Sequence, residues 1–254
     1  MEHLLEIKNL KMYFGGVHAV DDITTYVDAK EMLGIIGPNG SGKTTLINAI
    51  TGVYTATAGT IHFNGQDITK KKLEDMTGIG IARTFQNLRI FKAMDALDNV
   101  LVGQHLSLKS NLFDAIFRTK RYKKSEERAR EMAIDALKMV GLEKHIHDYA
   151  GAMPYGLQKK LEIARALVMG PKLLILDEPT AGMNAVESQE QISLIRRIQH
   201  EQEIAVILIE HNMKLMMEMA DRILAMDAGK EIAQGLPAQI QSNQLVIKAY
   251  LGEE

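Results

Sequence analysis

Apolar residues along this chain follow two spacings, alternation and a helical period, and the points where one gives way to the other outline its organisation. The first stretch, LLEIKNLKMYFGG, mixes alternation with β-branched and aromatic residues and closes on a glycine pair, which predicts a strand and a turn. A second β-rich segment covers Ile23 to Val27, and the short apolar run Met32 to Ile36 reads as a buried strand. Thr44 to Ile50 then opens a helix closed by Gly52. From Thr57 to Asp67 (TAGTIHFNGQD), Ile61 and Phe63 alternate with polar residues before Asn64-Gly65, the chemistry of a tight hairpin turn. From about Leu88 to Arg165 the spacing becomes helical, most clearly in Ser125 to Val140, which ends at Gly141. Strand patterns return at Leu173 to Leu176 and Val206 to Ile209, with the helical stretch Ser188 to Gln202 between them. The pattern predicts an α/β domain with an antiparallel element in its N-terminal third, interrupted by a helical insertion. Neither an internal repeat nor a low-complexity linker marks a tandem pair of such domains.

Composition narrows the classes. The 254 residues suffice for one large domain or two small ones with a substantial core. With no cysteine, disulfides and thiolate metal sites are excluded. The N-terminus MEHLLEIKNL carries charges within its apolar stretch and no export pattern, so cytosolic residence is the default expectation. The longest apolar runs, around Lys172 to Leu176 and Ile204 to Ile209, are strand-sized and far short of a membrane span. A net charge of −2 gives no global attraction to nucleic acid or anionic lipid. The fifteen methionines read as adaptable core and interface filler.

Directly after the Met32 to Ile36 run comes GPNGSGKTT, Gly37 to Thr45, which meets the GxxxxGK[ST] pattern at every fixed position and in the strand, loop, helix order that the motif requires. Gly37, Gly40 and Gly42 allow tight conformations that point N–H groups at phosphate oxygens, and the helix start adds a favourable dipole. Lys43 would reach the β- and γ-phosphates of a nucleotide and Thr44 its Mg2+, with Pro38, Asn39, Ser41 and Thr45 completing the loop. Further on, KLLILDEP sets Asp177 and Glu178 at the C-terminal end of an apolar strand, where open α/β sheets gather ligand sites. Asp177 would hold Mg2+ through its water shell, and Glu178 would orient or deprotonate an attacking water. The alternative is that the pair caps the following helix.

With both segments in place, the chain from about Leu5 onward resembles an ATP-binding-cassette ATPase subunit. The resemblance implies an α/β fold: a P-loop NTPase core (ABC ATPase) with an antiparallel β subdomain, residues 1–87 and 166–254, and a helical subdomain insertion, residues 88–165. It implies that Gln86, in RTFQN, joins the Mg2+ and senses a transmembrane partner, that His211, in LIEHN, contacts the γ-phosphate, and that Phe14 stacks on adenine. By its own chemistry His211 would be structural or solvated, and Phe14 or neighbouring Tyr13 could equally be a core residue. The family's LSGGQ segment reads MPYGL here, and the resemblance brings Pro154, Tyr155, Gly156 and Leu157, with Asn184 in TAGMNAVES, to the ATP of an opposing subunit. Pro154 stands where a serine usually meets the γ-phosphate and offers neither hydroxyl nor N–H, so that contact is expected to be missing. Gly156 and the dipole of a helix expected to begin near Gln158 keep backbone donors in play, which predicts weaker or differently balanced closure and not inactivity.

Tyr155, the LEIAR run and Asn184 in place of an aspartate look like the branch that powers uptake of branched-chain amino acids, leucine, isoleucine or valine. Leu106 to Lys124 resembles an extra stretch of amino-acid importer subunits, and VIKAYLGEE resembles that subfamily's ending; neither is given a phosphate role. Arg118, Lys120, Arg121, Lys123 and Lys124 read as a solvated helix end, with anionic lipid headgroups the alternative. The resemblance implies ATP and Mg2+ as cofactors. It implies transmembrane permease subunits, a second ATPase subunit, identical or paralogous, and indirectly an extracytoplasmic substrate-binding protein as partners, without nucleic acid. The expected location is the cytoplasmic face of the cell membrane, as a peripheral subunit. Two rivals remain: the ATPase of an exporter or lipid-extraction system, and a soluble nucleic-acid or ribosome-associated cassette protein, which the single cassette and the lack of a basic balance disfavour.

Overall fold

The computed structural model describes residues 3–86, 88–104 and 120–251. Residues 106–119 of the importer-like stretch, Arg118 among them, and the tail residues 252–254 lie outside that description, whereas Lys123 and Lys124 are exposed. The chain divides into two compact units, residues 1–83 with 172–254, and residues 84–171. In the first, β1 (Leu5–Phe14), β2 (Val17–Val27) and β3 (Met32–Ile36) lead through the glycine-rich loop into α1 (Lys43–Ile50). The strands β4 (Ala58–Phe63) and β5 (Gln66–Asp67) form the hairpin, and φ values of 50° at Asn64 and 76° at Gly65 put both turn residues in the left-handed region. Then follow α2 (Leu73–Ile79) and β6 (Ile81–Arg83), and the second unit carries α3 (Ala96–Gln104), α4 (Lys120–Met139) and α5 (Tyr155–Leu167). The chain returns with β7 (Leu173–Asp177), α6 (Ala185–Glu201), β8 (Ala205–Ile209), α7 (Met213–Met219), β9 (Arg222–Asp227), β10 (Lys230–Gly235), α8 (Pro237–Gln241) and α9 (Gln244–Leu251).

The first unit holds an antiparallel sheet, β2-β1-β4-β5, and a six-stranded sheet, β10-β9-β3-β8-β7-β6, parallel except at its β10 edge. Every residue of β3, β7 and β8 is buried, which is why their sequences are unbroken apolar runs. Leu46, Ile47 and Ile50 of α1 share one core cluster with Leu5 and Ile7 of β1, Ile61 and Phe63 of β4, and Leu33 and Ile35 of β3. Burying each such side chain contributes about 1.5–3 kcal/mol, so both ends of the glycine-rich loop are rooted in core. In the second unit Leu97 and Val100 of α3, Ala133 and Leu137 of α4, and Leu161 and Ala164 of α5 are buried. Among the described residues no helix is long and apolar enough to cross a membrane.

Four boundaries differ from expectation, two element starts and both changeovers between the units. The strand β2 starts at Val17 and not at Ile23, because it pairs with β1 all the way to Phe14↔Val17 through bulges that interrupt the alternation. The helix α5 starts at Tyr155 and not near Gln158: Pro154, with φ of −52°, is its N-cap, and its carbonyl accepts the N–H groups of Leu157 and Gln158 at 3.0 and 3.1 Å. The units change over at 83/84 and 171/172, where the sequence suggested 87/88 and 165/166. Phe85 and Gln86 go with the helical unit because α5 holds their backbone: Phe85 N–H donates to Glu162 at 3.3 Å and Lys159 Nζ donates to Gln86 O at 3.4 Å.

Candidate nucleotide site

The strand order of the parallel sheet decides which residues meet. The C-terminal ends of the neighbouring strands β3, β8, β7 and β6 deliver Gly37, then Glu210 and His211, then Asp177 and Glu178, then Arg83. The loop from Gly37 to Thr45 has φ values of +152° at Gly37, +82° at Gly40 and +98° at Gly42. A Cβ at Gly37 would lie 2.1 Å from Met226 O, and one at Gly42 2.2 Å from Ala19 O, so sterics and conformation both require glycine there. Lys43 is buried and folded onto its own loop, with Nζ donating to Gly37 O at 2.7 Å, Pro38 O at 2.9 Å and Ser41 Oγ at 3.3 Å. Burial holds its ammonium below the usual lysine range, and the carboxylates of Glu178 and Asp177 draw it partly back up. Ser41 is buried, Pro38, Gly42 and Thr45 are half-buried, and Asn39, Gly40 and Thr44 are exposed.

Asp177 is buried, and its Oδ2 lies 3.0 Å from an Arg83 guanidinium nitrogen. The same guanidinium donates to Asn48 Oδ1 at 2.6 Å and Thr51 Oγ1 at 3.2 Å, which ties β6, α1 and β7 together. Glu178 has φ of +51°, a left-handed conformation that costs a non-glycine residue about 1–3 kcal/mol. Its N–H donates to Ile209 O at 3.0 Å and its Oε1 lies 2.5 Å from His211 Nε2. The helix-capping alternative for the acidic pair fails, because Asn184 caps α6: its Oδ1 accepts the N–H groups of Val186 and Glu187 at 2.9 and 3.0 Å. Arg83 and Glu210 were not singled out from sequence. Glu210 is buried, accepts from Thr180 N–H at 2.9 Å and Thr180 Oγ1 at 2.7 Å, and is raised above the usual glutamate range by that burial. It fixes the chain just beyond Glu178.

Phe14 is 46% exposed with its ring edge-on to Tyr54, 5.2 Å between centroids, so it is not a core residue. Tyr13 instead stacks on His18 and donates its hydroxyl to Asp21 at 2.7 Å. Gln86 and the segment Pro154 to Leu157 belong to the second unit. There Gln86, Pro154 and Tyr155 are exposed, Gly156 and Leu157 half-buried, and a Cβ at Gly156 would meet nothing within 4 Å. Glu162, which α5 turns inward onto Phe85, is raised above its usual range by burial; neither it nor Lys159 stood out in the sequence. Among the described residues no group of three or more His, Asp or Glu side chains could hold a metal by itself. The oxygen-only set of the Thr44 hydroxyl and the Asp177 carboxylate nevertheless suits Mg2+, which keeps several waters and takes other oxygens from nucleotide phosphates.

A glycine-rich loop rooted at both ends in core, facing an acidic pair two strands away, defines a P-loop nucleotide-binding protein. A family model described as ABC transporter matches residues 20–181, and one described as branched-chain amino acid ATP-binding cassette transporter matches residues 230–254. The chain is 42% identical over 250 residues to the high-affinity branched-chain amino acid transport ATP-binding protein BraF of Pseudomonas aeruginosa, and 98% of each protein is covered. It is 40% identical to the corresponding LivG protein of Escherichia coli (strain K12), again with 98% of each covered. The crystal structure of the ADP conformation of MJ1267, an ATP-binding cassette of an ABC transporter, matches all of both chains with a TM-score of 0.86 at 32% identity. The chain belongs to the ABC transporter family of ATP-binding proteins, with an ABC ATPase fold and ATP hydrolysis coupled to transport.

Proposed function

We propose that this chain is the ATPase subunit of a branched-chain amino acid importer. The observation that carries the substrate class is similarity over 98% of both chains to BraF and LivG, whose names state that transport. In this reading Lys43 leaves the Gly37 and Pro38 carbonyls for the β- and γ-phosphates, and the loop N–H groups with the start of α1 cradle the remaining oxygens. Glu178 orients or deprotonates the attacking water, and His211, already paired with its carboxylate, meets the γ-phosphate. Phe14 stacks on the adenine. Thr44 and Asp177 would hold a Mg2+ that, when bound, neutralises charge on the phosphates.

Two subunits, identical or paralogous, work head to tail, so that Pro154, Tyr155, Gly156, Leu157 and Asn184 of one face the ATP of the other. Pro154 removes the usual hydroxyl contact and leaves the first N–H groups of α5, from Tyr155 and Gly156, as the phosphate donors. ATP favours the closed pair, and loss of the γ-phosphate releases it, which moves permease subunits bound near Gln86 in the helical unit. The subunit sits peripherally on the cytoplasmic face of the membrane, and a binding protein outside delivers the amino acid. The test is affinity purification from native membranes with identification of the bound permease. Co-elution of an amino-acid permease with ATPase activity supports the reading; a lipid-extraction permease, or an active complex without any membrane subunit, overturns it.

A further inference from the structure

The last helix of the chain ends on the glycine-rich loop. The Tyr250 hydroxyl, near the end of α9, accepts a hydrogen bond from Gly37 N–H at 2.8 Å, across 213 residues of sequence. The family resemblance gave this tail no part in phosphate binding.

Gly37 needs such a partner. The strand β3 pairs with β8 from Met32 to Ile35 and with β9 from Leu33 to Ile36, so the buried Gly37 N–H lies beyond the last rung on either side. A buried backbone donor past the end of a ladder must find another acceptor, and Tyr250 provides one. The rest of Gly37 is as constrained: its carbonyl accepts Lys43 Nζ at 2.7 Å, and Met226 O closes off its Cα. Tyr250 is delivered by a fixed element, since Val246 of α9 is buried and Asn243 Oδ1 accepts Leu245 N–H at 2.9 Å. The Tyr250 side chain is 38% exposed; partial burial raises its hydroxyl above the usual tyrosine range, the Gly37 bond lowers it, and the oxygen's lone pairs accept from Gly37 N–H.

We propose that Tyr250 is a positioning residue of the nucleotide site, and that the C-terminal helix thereby tightens nucleotide binding. When Lys43 leaves the Gly37 carbonyl for a phosphate, the Tyr250 bond keeps the first peptide of the loop from following it. The proposal rests on the reading of Gly37 to Thr45 as the phosphate-binding loop.

The experiment is direct titration of the full-length chain with ADP and Mg2+, with melting temperatures measured in parallel, for the parent, Tyr250→Phe, Val246→Ala and Lys43→Ala. Tyr250→Phe keeps the ring and loses only the hydroxyl, and it should weaken ADP binding about fivefold, the worth of one neutral hydrogen bond. The ATP KM should rise by a similar factor with kcat retained. Val246→Ala loosens α9 but keeps the hydroxyl, and it should lose less affinity for the same drop in melting temperature. Parent-like affinity in Tyr250→Phe, or an equal affinity loss in Val246→Ala at equal destabilisation, overturns the positioning role. Parent-like binding by Lys43→Ala would instead overturn the phosphate-loop reading on which the role depends.

Discussion

Truncating Arg83 to alanine tests whether the acidic strand end is held by the buried ion pair. The Arg83 and Asp177 side chains are 5% and 3% exposed and 3.0 Å apart, and the guanidinium also satisfies Asn48 and Thr51. Removing one partner of a buried pair leaves the other charge uncompensated and costs about 3–5 kcal/mol, whereas a surface pair is worth about 0–1 kcal/mol. For a chain of this size each kcal/mol lowers the melting temperature by about 2–4 °C, so Arg83→Ala should melt about 6–20 °C below the parent. Scanning calorimetry on Arg83→Ala, Asp177→Asn and the double variant reads this directly. The double variant should lose less than the sum of the singles, because the second substitution no longer strands a buried charge. A drop of about 2 °C or less for Arg83→Ala, or strict additivity, would refute the assignment of the pair as the local anchor.

Glu178→Gln should keep nucleotide binding, lose turnover and trap a dimer visible by size-exclusion chromatography with ATP; full turnover would remove Glu178 from the base role. Because φ at Glu178 is +51°, Glu178→Gly should be about 1 kcal/mol more stable than Glu178→Ala, roughly 2–4 °C in melting temperature, and the reverse order would contradict the strain. Burial raises Glu210 above the usual 4.5, so the stability it contributes is fully present below that pH and is lost as pH rises through the raised folded value. Glu210→Gln removes that loss, and its melting temperature relative to the parent should therefore climb as pH is raised from below 4.5 toward neutrality; a constant difference would argue against a displaced Glu210.

What the sequence could show depended on how local the physics was. The strand β3 matched its predicted span, Met32 to Ile36, because a strand buried on both faces is apolar at every position and bounded by polar residues. The glycine-rich loop was legible for a different reason: its spacing encodes left-handed backbone and close approaches at Gly37 and Gly42 that no other residue satisfies. Arg83, Glu210 and Tyr250 escaped notice because each works through a partner 94, 30 or 213 residues away, and such pairs leave no periodic or motif trace. At Pro154 the sequence identified what the residue lacks, but not that it caps α5 and moves the start of that helix to Tyr155. The start of β2 was hidden by the bulges that break its alternation opposite β1.

Whether ATP hydrolysis by this chain powers uptake of branched-chain amino acids is read from labelled-leucine uptake in cells that lack the chain and are complemented with the parent or with Glu178→Gln. The parent should restore uptake, and Glu178→Gln, present on the membrane in equal amount, should leave it at background. Uptake indifferent to loss of the chain, or restored by Glu178→Gln, would mean that hydrolysis by this chain does not drive that transport.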